Sequence, residues 1–133
     1  MTAILPTVVV ADPDPSMQQE LVRLLQPGFR CVVTGSLRET WQAILRERPA
    51  LLTLELEQPD GDGLALIQHL QADPYLCRVL IACVTHRRAT MDKIRAFRAG
   101  ADDYLVKPVT PAANLYGRML LLRRAGHIAR AAR

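Results

Sequence analysis

The chain has little cysteine and no evident way to pair it. Cys31, Cys77 and Cys83 are odd in number and form no C-x-x-C pair, so neither a disulfide framework nor a zinc site is indicated. Cys31 and Cys83 sit in apolar runs and are expected to be buried, reduced core residues. No apolar run approaches the roughly 20 residues that span a bilayer. The opening MTAILPTVVV is too short and too uncharged for a secretory signal. A cytoplasmic protein without a membrane partner is therefore expected. Acid is missing from one region. From Tyr104 onward there is none, while Lys107 and the arginines at 118, 123, 124, 130 and 133 carry +6, leaving −2 on the rest of a chain whose total is +4. No aromatic residue interleaves these arginines, which weighs against direct nucleic-acid contact. A solvated basic helix end, favoured by the helix dipole, is the plainer reading.

What is present is an alternation of apolar runs and helical patterns in 133 residues, a length that suits one domain with one core. Thr7–Ala11 reads as a buried strand. Asp14 caps a helix whose Met17, Leu21, Leu24 and Leu25 share a face, and Pro27-Gly28 stops it. Arg30–Thr34 is a second strand. Ser36, with Glu39 three residues on, makes a capping box for a helix with Trp41, Ile44 and Leu45 on its apolar face. Ala50–Leu56 is a third strand, followed by a turn-rich loop from Gln58 to Gly63 and a helix burying Leu64, Ile67 and Leu70. Arg78–Val84 is a fourth strand. A helix from about Ala89 to Ala99 ends at Gly100, a C-cap position. Asp103–Val106 is a fifth strand, Lys107-Pro108 a tight turn, and a last helix runs from about Pro111 into the 120s.

Five such β–α units predict an α/β fold, with a doubly wound five-stranded parallel sheet and helices on both faces. Residues 1–126 form the domain, and 127–133 are a basic tail or the start of a linker. In such sheets the functional site lies beyond the carboxyl ends of the strands. Asp12, Glu55, Thr85 and Lys107 all fall there, one from each of four strands. Any one of them has an ordinary structural explanation; four at one edge are harder to dismiss.

The segments VVVADPDP, LTLELEQPDGDGL and AGADDYLVKPV, with the spacing from Thr85 to Gly100, resemble the receiver domain of response regulators over nearly the whole chain. That resemblance implies a flavodoxin-like (βα)5 fold with strand order 2-1-3-4-5. It also implies phosphoryl transfer from a kinase phosphohistidine to an aspartate after strand three, with Mg²⁺ held by acidic residues after strand one. By position Lys107, the following Pro108 (cis in the family), Thr85 and Tyr104 match the family's pocket and switch residues.

Four positions depart from the family pattern. Glu55 stands where the family has its phosphoacceptor aspartate. Its carboxylate reaches roughly 1.5 Å farther, and misplacement by about 1 Å can cost about 10²-fold in a transfer reaction. The extra reach suits partial imitation of an aspartyl phosphate instead. Pro13 replaces one metal-facing acid, so Asp12 and Glu55 are the remaining candidate Mg²⁺ ligands. A Lys107–Glu55 pair is expected to do part of the metal's work, and no cofactor is expected to be required. His86 follows Thr85 and is either a shield over the pocket or a plain surface-loop histidine. Glu57 either repels an incoming phosphodonor or is solvated and inert.

Two readings follow. The first is a non-enzymatic, phosphorylation-independent pseudo-receiver that acts through a protein partner or output domain. The second is a receiver that still accepts a phosphoryl group from a histidine kinase with Mg²⁺. A nucleotide or flavin binder is disfavoured because no glycine-rich loop follows the first strand. The resemblance further suggests homodimerisation through the face of helix 4, strand 5 and helix 5. Lys93, Ile94, Phe97, Arg98, Asp102, Asp103 and Arg118 lie on that face.

Overall fold

The computed structural model describes residues 4–131, and the side chains of residues 4–126. The sheet strands are β1 (Thr7–Ala11), β2 (Arg30–Thr34), β3 (Leu51–Leu54), β4 (Leu80–Thr85) and β5 (Asp103–Val106). They pair in parallel in the order β2-β1-β3-β4-β5. The helices are α1 (Pro15–Leu25), α2 (Leu37–Glu47), α3 (Gly63–Ala72), α4 (Thr90–Ala99) and α5 (Leu115–Ala131). Among the described residues no helix is long and apolar enough to cross a membrane.

Strand residues alternate between faces, and the sheet accordingly divides two apolar clusters. Val9, Leu52, Ile81 and Cys83 meet Ile44 of α2, Ile67 and Leu70 of α3 and Ala96 of α4. Val8, Val10, Leu51, Ala82 and Val84 meet Leu21 and Leu25 of α1 and Leu115 and Met119 of α5. Each large apolar side chain buried in this way contributes roughly 1.5–3 kcal/mol. The central strands are covered on both sides, so their polar ends are where they can present chemistry.

Local signals set several boundaries. The Asp14 carboxylate accepts the Ser16 amide, and the Ser36 hydroxyl accepts the Glu39 amide. Gly100 ends α4 at φ 125°, a backbone conformation that favours glycine. Other boundaries differ from expectation. β3 stops at Leu54, because Glu57–Gln58 turns into an antiparallel hairpin with Gly61–Asp62. β4 starts at Leu80 because Leu76–Arg78 forms a 3-10 turn. α5 starts at Leu115: Asn114 adopts a left-handed conformation and its side chain accepts the Gly117 amide, separating the helix from a 3-10 turn at Pro111–Ala113. Leu45 is about half exposed, because the buried stripe of α2 runs through Thr40, Ala43 and Ile44. Cys83 is buried as expected, whereas Cys31 is only partly covered, since it lies on the edge strand β2. The expected basic tail at 127–133 lies outside the described side chains.

Candidate functional site

The parallel register brings the ends of β1, β3, β4 and β5 to one edge, and Asp12, Glu55, Thr85 and Lys107 converge there. All four are buried. Lys107 Nζ donates to Asp12 Oδ2 at 2.6 Å and to Glu55 Oε1 at 3.0 Å. The remaining carboxylate oxygens are also engaged. Asp12 Oδ1 accepts the Asp14 amide at 2.9 Å, and Glu55 Oε2 accepts the Glu57 amide at 3.2 Å. Glu55 Oε1 takes a second donor, the His86 amide, at 3.2 Å. Burial pushes the Glu55 carboxyl up. Hydrogen bonds from the Thr85 hydroxyl, Lys107 and the Glu57 amide, together with the Lys107 charge, outweigh that and hold it below the usual carboxylate range. Glu55 is therefore ionised at neutral pH. Two carboxylates against one ammonium leave about −1 in the pocket.

The loops are braced by amides that sequence reading missed. Gln18 Nε2 donates to the Asp12 carbonyl at 2.7 Å, and Gln58 Nε2 to the Glu55 carbonyl at 2.8 Å. Arg87 was missed as well. Its guanidinium reaches Asp62 at 3.1 Å and Glu57 at 3.7 Å. Its backbone amide donates to Thr85 Oγ1 at 3.2 Å, and its carbonyl accepts the Tyr104 hydroxyl at 2.7 Å. An arginine two residues after Thr85, facing a loop rich in acids, was the available signal.

The other expected residues fall as follows. The His86 side chain is exposed, so position 86 serves the pocket through its backbone. The Glu57 side chain is exposed, with Oε1 3.7 Å from Arg87 Nε. Tyr104 is half-buried against the core, 6.4 Å from the Phe97 ring. Burial first, then the charge of Asp92, pushes its phenol up to about 12, so at neutral pH it is a donor. The Lys107–Pro108 peptide is cis. On the α4–β5–α5 face Lys93, Phe97 and Arg98 are exposed. Arg118 pairs with Asp103 at 3.2 Å within the chain. Asp102 Oδ2 accepts the Ile81 amide at 2.8 Å.

A Mg²⁺ ion would have to share the Asp12 and Glu55 oxygens with donors they already hold. Such an ion needs near-octahedral oxygen ligation. Here every carboxylate oxygen of Asp12 and Glu55 already has a protein donor, and Pro13 supplies none. Among the described residues no three His, Cys, Asp or Glu side chains cluster to hold a metal. The position between the two carboxylates is filled by the Lys107 ammonium.

Comparison with known proteins places these features. The family model of the response regulator receiver domain matches residues 8–116. The transcriptional regulatory protein PrrA of Mycobacterium tuberculosis is 32% identical over 126 residues, which cover 93% of this chain and 53% of PrrA. The DNA-binding response regulator MtrA of Mycolicibacterium smegmatis is 33% identical over 105 residues, 78% of this chain and 45% of MtrA. The chain thus spans about half the length of the curated relatives it matches. Among solved structures, the BeF3-activated N-terminal receiver domain of Klebsiella pneumoniae RstA superposes with a TM-score of 0.79 at 27% identity, over 89% of this chain and 98% of that one.

Proposed function

The chain belongs to the response regulator receiver domain family of two-component signalling, and from that membership we propose that it signals without being phosphorylated. In this reading Glu55 is a built-in charge in the phosphoacceptor's place, and the domain acts by binding a protein partner or an output domain. One observation carries the reading. The Glu55 carboxylate is buried, and its two oxygens are held by donors from Glu57, His86, Lys107 and Thr85. An in-line nucleophile must turn a lone pair toward the incoming phosphorus, and both the burial of Glu55 and the bonds on its oxygens work against that. Lys107 supplies the positive charge that a metal supplies elsewhere in the family, so no cofactor is required.

The position of the switch residues supports one state. Thr85 is buried beside Glu55, and the Tyr104 hydroxyl is bonded to the loop after β4. The resemblance associates that inward arrangement with an activated receiver. The exposed α4–β5–α5 face, with Phe97 about half open, is then the surface offered to a second copy or a partner. Sedimentation at high concentration tests the dimer, and a monomer throughout removes it. No direct nucleic-acid contact is assigned to this domain.

The retained Thr85 and Lys107 favour the second reading, a receiver that still accepts phosphate from a histidine kinase. Acetyl phosphate with Mg²⁺, followed by intact-mass measurement, separates the two. No mass gain is expected. A gain of one phosphoryl group that disappears in Glu55→Gln overturns the proposal. The double variant Pro13→Asp with Glu55→Asp rebuilds the family's acidic set and is expected to gain the phosphoryl group, which shows that the assay can detect one.

A further inference from the structure

Arg87 bonds the pocket only through its backbone amide, yet it joins three separate parts of the molecule. Its amide meets Thr85, its carbonyl meets Tyr104, and its guanidinium crosses to the 57–62 hairpin. That hairpin is a fixed post rather than a loose loop. Both oxygens of Asp60 accept amides at the start of α2, from Leu37 at 2.8 Å and Arg38 at 3.0 Å. Asp62 Oδ1 accepts the Leu64 amide at the start of α3 at 2.9 Å. The hairpin is thereby tied to two helices, and Arg87 ties the loop after β4 to the hairpin.

We infer that the Arg87 guanidinium is a latch. By gripping Asp62 and Glu57 it fixes the carbonyl that receives the Tyr104 hydroxyl, and so positions Tyr104 inward with no phosphoryl group present. This deepens the fixed-state reading and rests on it. Arg87 is a positioning residue that acts through Tyr104. The chemistry suits the task. A guanidinium holds several donors in one fixed plane: here Nη1 alone meets both Asp62 oxygens, at 3.2 and 3.1 Å, while Nε lies 3.7 Å from Glu57 Oε1. The backbone of the same residue carries the acceptor for Tyr104, so side chain and acceptor cannot move independently. Without the grip the loop after β4 keeps its amide bonds to Thr85 and Glu55 and the bond from Arg88 Nη2 to the Lys107 carbonyl at 3.5 Å, and none of these is made by the Arg87 carbonyl.

The test uses the full chain with fluorinated tyrosine. The three tyrosines give three fluorine lines, and Tyr104→Phe assigns one of them. The protein is never exposed to a phosphodonor, so the latch and the phosphorylation-independent reading can fail separately. Arg87→Gln is expected to lower the inward-to-outward ratio of Tyr104 by about 2- to 5-fold, the range of a part-exposed ion pair. Asp62→Asn keeps a side-chain acceptor for Leu64 and is expected to act alike. Combining it with Arg87→Gln should add little. Arg87→Lys keeps the charge but not the planar set of donors and should recover part of the ratio. Salt raised from about 0.1 M to about 1 M shortens the screening length from about 10 Å to about 3 Å and should move the unmodified protein toward Arg87→Gln. An unchanged Tyr104 line in Arg87→Gln overturns the latch. A shift spread equally over Tyr75, Tyr104 and Tyr116 also overturns it, because it assigns Arg87 a general packing role.

Discussion

Two ion-pair sites in this molecule differ sharply in burial. In the pocket, Lys107 meets Asp12 and Glu55 with side chains no more than 3% exposed. On the α4–β5–α5 face, Arg118 meets Asp103 with side chains 44% and 21% exposed. The chemistry is similar and the distances, 2.6 and 3.0 Å against 3.2 Å, differ little, but the energetic meaning differs. The exposed pair competes with water and salt, so its net worth is small. The buried pair has already lost its water, so removing one partner strands charge where nothing else can solvate it. The pocket is therefore rigid in composition, and the face is free to exchange an internal partner for an external one.

The sharpest way to break this contrast is Lys107→Met. It leaves Asp12 and Glu55 buried without a cation and is expected to cost about 3–5 kcal/mol, read as a lower denaturant midpoint. Part of that loss should return at acidic pH as a carboxyl takes up a proton. Glu55→Gln is milder. It leaves Lys107 paired with Asp12 and is expected to cost about 1–2 kcal/mol through weakened hydrogen bonds.

The Glu55 charge also sets a pH dependence. Its carboxyl is lower in the folded chain than its ordinary value. The charge thus contributes stability above the unfolded value, which is lost as pH falls through the folded one. Melting temperature should fall from about pH 5 downward, and more gently in Glu55→Gln. Equal slopes in the two proteins remove Glu55 from the account. The smallest effect is expected for Arg118→Ala, at most about 1 kcal/mol and smaller still in high salt. A larger loss erases the distinction between the two sites.

Legibility from sequence followed the range of the interaction. Asp14, Ser36 and Gly100 act on amides and carbonyls within a few residues, and their helix ends were readable. β1, β2 and β5 were readable because their apolar runs are bounded by turn residues. Leu45 was misplaced because the face a helix buries depends on the sheet it meets, not on its own pattern. The end of β3 was missed because the 57–62 hairpin draws it aside. Arg87 was missed because its partners, Glu57 and Asp62, lie 25 or more residues away and on another loop.

The sequence alone determined that this is a five-unit α/β domain of the receiver type, that an acidic group longer than aspartate stands at the acceptor position, and that a proline follows Asp12. Periodicity, caps and motif spacing are local properties, and a linear chain carries them. Only the tertiary structure decided what holds Glu55 there. It is held by Lys107, His86 and Glu57, with Tyr104 drawn in over a loop that Arg87 ties down. Those contacts join residues tens of positions apart, and their strength comes from burial, which the folded chain alone creates.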